Sequence, residues 1–217
     1  NFYGELGNGN IINYSSPIQI GALTNWKQVS SDAGTATLAV KTDGTLWAWG
    51  RNVYGNLGNG TTNNYSSPIQ IGALSNWKQV YSYGFNSIAI KTDGTLWTWG
   101  YGTYGALGNN QTAANYSSPI QIGALTNWKQ VSVAKGAGAA VKTDGTLWTW
   151  GYNNYGQLGN GTVNVDYSSP IQIGALTNWK QVSCGYTTVA VKTDGTLWAW
   201  GQNTYGQLGA GSNIALA

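Results

Sequence analysis

Asp43, Asp93, Asp144 and Asp194 are the recurring carboxylates of this 217-residue chain, and each lies in the same segment, Lys-Thr-Asp-Gly-Thr. Acid–base chemistry needs a second titratable group within reach of the same reacting atom, and a calcium loop needs several carboxylate oxygens. Each copy supplies one carboxylate and no further acidic residue at ligand spacing. Histidine is absent and Cys184 is the only cysteine. Cys-His, Ser-His and transition-metal chemistry therefore lack their usual groups, and no intrachain disulfide can form. Cys184, in a variable loop without a partner, reads as a small packing residue and not as a nucleophile. The Gly-x-Leu-Gly segments lack the Lys-Ser/Thr of a phosphate loop and read as turns. The chain is expected to be no enzyme, with no metal site and no cofactor.

The side chains that remain for recognition are aromatic: twelve tryptophans and fourteen tyrosines. Aromatic faces stack on sugars and bases, but Trp26, Trp47 and Trp49 recur at the same place in every copy of a repeat. A large apolar residue at every equivalent position is core. The repeat is defined by Tyr-Ser-Ser-Pro-Ile-Gln-Ile-Gly, which begins at Tyr14, Tyr65, Tyr116 and Tyr167, a spacing of 51 residues each time. No linker or composition break divides the array. The expected organisation is a single repeat array over 1–217, with repeats 14–64, 65–115, 116–166 and 167–217, and with 1–13 completing a preceding blade.

Within one repeat, Trp26–Val29 and Leu38–Thr42 read as short strands, and the second ends at Asp43-Gly44, a hairpin turn pair. Thr45–Gly50 follows, with Trp47 and Trp49 on one face and Leu46 and Ala48 on the other. A strand apolar on both faces belongs between stacked sheets. Ser67–Gly72 alternates apolar and polar and opens on a proline, as an edge strand does. The expected fold class is all-β: β-propeller blades, about four repeats with four antiparallel strands each. The turns are expected at Asp43-Gly44, Asp93-Gly94, Asp144-Gly145 and Asp194-Gly195. No helical periodicity or capping signal is present, and no apolar run reaches the ~20 residues of a membrane helix.

The run Lys41–Gly50, followed by Asn-x-x-Gly-x-Leu-Gly, resembles the repeat of the regulator of chromosome condensation family. The Gly-x-Leu-Gly element recurs from Gly4, Gly55, Gly105, Gly156 and Gly206, so the resemblance covers essentially the whole chain. It implies a propeller, typically seven-bladed, and the regularity of the copies is similar to the bacterial and phage branch. The family's Gly-x-x-His-Ser/Thr after the Trp-Lys-Gln-Val strand is missing here; that place reads Gly84–Ser87 and Gly185–Thr188. The loop element at both ends would be redundant in a closed four-blade ring. The chain is therefore expected to be part of a larger propeller or an open array, and, beginning in mid-motif, a processed or partial chain.

Charged residues make up 8% of the chain and the net charge is +3. Repetition spreads lysines such as Lys27, Lys78, Lys129 and Lys180 evenly, which argues against a nucleic-acid surface. Sequons such as Asn59-Gly60-Thr61 arise readily in Asn- and Thr-rich turns, and no glycan is assigned. The copies differ mainly after the Trp-Lys-Gln-Val strand and just after the Trp-x-Trp-Gly strand, which points to loops on a rigid scaffold. The larger side chains at these places, Arg51, Tyr81, Tyr83, Phe85, Tyr101, Lys135, Tyr152 and Tyr186, are the candidate binding residues. The function expected is a non-enzymatic scaffold for a protein partner or neighbouring subunit. Low charge and many small polar residues suit an extracellular, cell-surface or virion setting. The alternative is a carbohydrate-binding module that uses Tyr101 and Tyr152 for a surface glycan. Guanine-nucleotide exchange is a remote alternative implied by the resemblance alone.

Overall fold

The computed structural model describes residues 1–32 and 35–211. Ala33 and Gly34 of the first variable loop, and the last residues of the fourth repeat, lie outside them. The first sheet contains β1 (Trp26–Ser31), β2 (Ala36–Lys41), β3 (Leu46–Gly50) and β4 (Tyr65–Gln70). The second contains β5 (Trp77–Tyr83), β6 (Asn86–Lys91), β7 (Leu96–Gly100) and β8 (Tyr116–Gln121). The third contains β9 (Trp128–Ala134), β10 (Ala137–Lys142), β11 (Leu147–Gly151) and β12 (Tyr167–Gln172). The fourth has β13 (Trp179–Ser183), β14 (Thr187–Lys192) and β15 (Leu197–Gly201). Neighbouring strands within every sheet are antiparallel, as blades of a propeller require. The Tyr-Ser-Ser-Pro strand that opens a sequence repeat closes the sheet of the repeat before it. Tyr14–Gln19 has the same sequence as β4 yet forms no strand. Among the described residues no Trp-x-Trp strand precedes it, and a ladder needs a partner as well as propensity.

The Asp-Gly turns are built differently from the two-residue form that the dipeptide suggests. Gly44 takes φ +80 while Asp43 stays in the ordinary region, and Lys41 N–H donates to Thr45 O at 3.0 Å. The loop is Thr42-Asp43-Gly44, with the glycine alone in the left-handed position. Asp43 Oδ1 accepts from Thr45 N–H at 2.9 Å and from the Thr45 hydroxyl at 2.7 Å. Thr45 Oγ1 in turn accepts the Trp47 indole N–H at 2.9 Å. These hydrogen bonds from Thr45 hold the Asp43 carboxyl below its usual range. The recurring carboxylates are turn braces.

The core lies between sheets. Leu38, Leu46 and Ala48 of the first sheet pack with Trp77, Val80 and Trp99 of the second, and the same pairing joins second to third and third to fourth. Strands β1, β5, β9 and β13 touch one another in chain order and so lie at the inner edges of the sheets. Gln28 stitches two of them: its Nε2 donates to Val80 O at 2.8 Å and its Oε1 accepts Val80 N–H at 3.0 Å. The loop after β3 reaches over the second sheet, where Asn56 O accepts the Trp99 indole N–H at 2.9 Å and the Ser87 hydroxyl at 2.7 Å. At the two ends of the array Val29, Leu197 and Trp198 are exposed, so the sheets form an arc with uncovered end faces.

Lys41, Lys91, Lys142 and Lys192 are buried, which the sequence pattern did not single out. Lys142 Nζ sits 3.5 Å from the Trp148 ring centroid and 4.7 Å from that of Trp128. Two ring faces stand in for a carboxylate as the cation's partner. Burial pulls the Lys142 pKa down and nearby Asp144 opposes it. Lys27, Lys78, Lys129 and Lys180 are exposed as expected.

Candidate functional site

The variable residues come together because hairpin tips and strand ends share one side of the arc. Between β5 and β6 the tip is Gly84-Phe85, and between β9 and β10 it is Lys135-Gly136. The residue after each Trp-x-Trp-Gly strand is tied to the tip of its own sheet: Tyr101 N–H donates to Phe85 O at 2.9 Å, and Tyr152 N–H to Gly136 O at 2.8 Å. In the fourth sheet Gln202 N–H reaches Tyr186 O at 2.8 Å. Two sequence-distant variable places thus form one surface per sheet.

A third group, missed by comparing copies, bridges these surfaces. Tyr54, Tyr104 and Tyr155 occupy the same place in the Gly-x-Leu-Gly loops, and each leans onto the next sheet. Tyr54 lies 4.7 Å from Phe85 and 4.7 Å from Tyr101, ring centroid to centroid. Tyr104 lies 5.0 Å from Tyr152, and Tyr155 lies 5.3 Å from Tyr186. Their invariance made them look like framework. The signal that could have found them is a large aromatic in a Gly-rich turn where a core fold needs only a small residue. Tyr104 also takes φ +63, a conformation that non-glycine residues adopt rarely and at local cost.

The result is a cleft of about 420 Å³, lined by six aromatic rings, those of Tyr54, Phe85, Tyr101, Tyr104, Tyr152 and Tyr186, together with Lys135, Asn86 and two glycines. Five of the eight candidate residues line it: Phe85, Tyr101, Lys135, Tyr152 and Tyr186. Arg51 stands at one side, with its guanidinium 4.6 Å from the Tyr3 ring and 5.1 Å from the Phe85 ring. Tyr83 is exposed at the end of β5 and acts electrostatically on Lys135. Tyr81 is elsewhere, half-buried against the core between the second and third sheets. Its place in β5 turns it toward that core, so it belongs to the scaffold.

No carboxylate lines the cleft. Lys135 points its ammonium at the Tyr186 ring, 6.0 Å from the centroid, and the Tyr186 hydroxyl holds its pKa above the ordinary lysine value. Burial, with smaller effects of Tyr155 and Tyr186, raises the Tyr152 hydroxyl. Both groups keep their neutral-pH states, Lys135 a cation and Tyr152 a neutral phenol. Cys184 packs against the core between the third and fourth sheets, its N–H bonded to Ser132 Oγ at 3.0 Å, and burial pushes its thiol up to about 11. The described residues contain no group of acidic, histidine or cysteine side chains that could hold a metal ion, and no helix is long and apolar enough to cross a membrane.

Comparison with known proteins places the repeat. The chain matches the regulator of chromosome condensation (RCC1) repeat over residues 43–89, 93–141 and 144–191. It is 31% identical over 191 residues to human E3 ubiquitin-protein ligase HERC2, a match that takes in 84% of this chain and 4% of HERC2. The crystal structure of human WBSCR16 superposes with a TM-score of 0.86 at 23% identity, covering 99% of this chain and 58% of that one. Prp20p of Saccharomyces cerevisiae, whose crystal structure is described with its binding to Gsp1p and histones, superposes with a TM-score of 0.82 at 18% identity, covering 94% of this chain and 52% of that one. The chain thus spans little more than half the length of the solved relatives and a small part of HERC2.

Proposed function

This chain belongs to the regulator of chromosome condensation (RCC1) repeat family, and from that premise we propose that it is a non-enzymatic propeller segment whose tyrosine-lined cleft docks a protein partner. The observation that carries the reading is convergence. Rings from the second, third and fourth sheets, and from the loops between them, line one cavity instead of facing solvent singly. Tyrosine is enriched at interfaces because its ring buries apolar area while its hydroxyl stays satisfied. The recurring aspartates add nothing catalytic, since each braces its own turn. Prp20p binds other proteins, but at 18% identity it lends this chain its fold and no partner.

The carbohydrate alternative is weakened by how the rings meet. Tyr101 is tilted against Tyr54, and Tyr152 is crowded by Tyr104, Tyr155 and Tyr186, which leaves little flat face for a sugar. Nucleotide exchange rests on family resemblance alone. The relatives named above are human and yeast proteins, so the bacterial or phage branch rests on the regularity of the copies. An extracellular or virion setting rests on composition.

The test is quantitative capture by the immobilised chain from cell extract. Tyr101→Ala combined with Tyr152→Ala is expected to weaken binding by ~2 kcal/mol or more, as loss of hot-spot rings does. Lys78→Ala combined with Lys129→Ala, at the opposite end of the inner strands, is expected to leave capture unchanged. Equal capture by both double variants would remove the cleft from the function.

A further inference from the structure

We propose that two copies of this chain join head to tail. The fourth sheet of one copy docks on the first sheet of the other and takes that copy's Tyr14–Gln19 segment as its fourth strand. Three observations carry this, all independent of the cleft.

The first is a strand without a ladder and a ladder without its last strand. β4, β8 and β12 share the sequence Tyr-Ser-Ser-Pro-Ile-Gln and pair with the Trp-x-Trp strand of their sheet in one register: Trp47 opposite Gln70, Trp97 opposite Gln121, Trp148 opposite Gln172. Tyr14–Gln19 has that sequence, forms no strand and is largely exposed. β15 is the complement. Among the described residues no strand pairs with its outer edge. Trp97 shares a groove with Pro119 of the outer strand β8, whereas its counterpart Trp198 is 48% exposed. The common register sets Gln19 of one copy opposite Trp198 of the other, and Tyr14 opposite Gly201. An open sheet edge is a template for pairing with another chain.

The second observation is the fit of the two uncovered faces. At the junctions within the chain, a Trp-Val-Trp face meets aliphatic side chains of the preceding sheet; Trp179, Val182 and Trp200 meet Val141 and Leu147 in this way. On the first sheet that socket is open, and Trp26, Val29, Ala39 and Trp49, with Ile20, line a cavity of about 320 Å³. The fourth sheet holds the residues that fill such a socket: Val189 and Val191, half-buried, and Leu197, exposed. The third is the stitch at the inner edge. Gln28 and Gln130 each exchange two hydrogen bonds with the main chain of a valine across a junction, Val80 and Val182. Gln181 and Val29 are the same pair, both exposed.

The copies overlap in one loop. Glu5 O accepts the Trp49 indole N–H at 2.9 Å, as Asn56 O does for Trp99, so Asn1–Gly7 already holds the place that Asn203–Gly209 of the docking copy would take. The loops compete for equivalent contacts, and the junction gains from the strand and the faces. Each pairing leaves one face of either kind free, so the assembly is heterologous and either closes as a ring or grows.

Sedimentation velocity on the full chain reads the association. A monomer is expected at ~1 µM and dimers or larger species at ~100 µM, an association in the micromolar range. Leu197→Asp and Val29→Asp each place a charge on one exposed face, so the melt of the monomer at ~1 µM should be unchanged. Each variant alone is expected to stay monomeric at ~100 µM, because the charge would be buried at the junction. Their equimolar mixture is expected to form dimers and nothing larger, since one intact fourth sheet and one intact first sheet remain between them. Ile18 is the counterpart of Ile69, which packs against the core, and Ile18→Asp is expected to weaken association at least ~10-fold. A chain monomeric at every concentration overturns the proposal, as does assembly that survives Leu197→Asp or Val29→Asp. A mixture that stays monomeric overturns the head-to-tail arrangement, and indifference to Ile18→Asp overturns the strand exchange.

Discussion

The second and fourth sheets carry nearly the same strand, Leu-Trp-Thr-Trp-Gly in β7 and Leu-Trp-Ala-Trp-Gly in β15, in opposite surroundings. Leu96 of β7 is 0% exposed and Leu197 of β15 is 71% exposed. Leu96 packs in a cluster with Trp128, Val131 and Trp150 of the third sheet, and nothing in the described residues stands in that place beyond the fourth. The difference teaches that a blade does not bury its own apolar face. Each copy supplies half of a core whose other half is the next copy, which is the energetic logic of a repeat array.

The largest effect expected from this comparison is in the core between the sheets. Trp99→Ala is expected to cost ~3–5 kcal/mol and Leu96→Ala ~2–5 kcal/mol, from lost burial and the cavity left behind. Leu197→Ala, the same substitution on the uncovered face, is expected to fall within ~0.5 kcal/mol of the parent. Urea unfolding of the three variants measures all of this. Comparable losses at Leu96 and Leu197 would break the comparison, because the end face would then have to be buried by something in solution.

This dependence on neighbours also marks the limit of what the residue pattern reveals. The Trp-x-Trp strand, the hairpin before it and the core role of the tryptophans were legible, because each follows from local alternation and turn chemistry. Tyr14–Gln19 was not: its sequence equals that of β4, and only the absence of a strand to pair with decides its state. The loop around Gly44 was misjudged in type, since Asp-Gly signals a turn without fixing its length. In the cleft, Phe85, Tyr101, Lys135, Tyr152 and Tyr186 were legible as variation against a constant frame. Tyr54, Tyr104 and Tyr155 escaped because variation is blind to a residue that every copy needs. Tyr81 misled because it and Tyr83, two residues apart, share one face of β5, and only Tyr83 lies far enough toward the hairpin end to leave the core for solvent.

A smaller effect sharpens the comparison at the loop that caps each tryptophan. Gly58 has φ +84, and a Cβ there would lie 2.8 Å from Trp99 Nε1; Gly108 has φ +73 and would meet Trp150 at 3.0 Å. Gly209, at the equivalent place beyond the fourth sheet, has φ +67 with nothing within 4 Å. Gly58→Ala and Gly108→Ala are expected to cost ~2–4 kcal/mol, combining left-handed strain of ~1–2 kcal/mol with overpacking of ~1–3 kcal/mol. Gly209→Ala keeps the strain and loses the clash, so it should cost ~1–2 kcal/mol. Thermal denaturation of the three variants reads the difference. Equal losses would mean that backbone strain alone governs these glycines and that the approach to the tryptophan is immaterial.

The smallest effect tests the inner edge, where side chains rather than rings join the sheets. Gln130 Nε2 donates to Val182 O at 2.9 Å and Gln130 Oε1 accepts Val182 N–H at 2.9 Å. Val182 is buried, so removing the amide strands a donor and an acceptor away from water, a loss of ~1–3 kcal/mol. Gln181 is the same residue one copy later, exposed and with no sheet beyond it, and Gln181→Ala is expected to change stability by no more than ~0.5 kcal/mol. Amide hydrogen exchange adds a local readout. In Gln130→Ala the Val182 amide should lose protection ahead of its neighbours in β13, because its partner lies across the sheet junction and not within the ladder. If Val182 instead exchanges only with global unfolding in both proteins, the stitch contributes nothing of its own, and the sheets are held together by their aromatic cores alone.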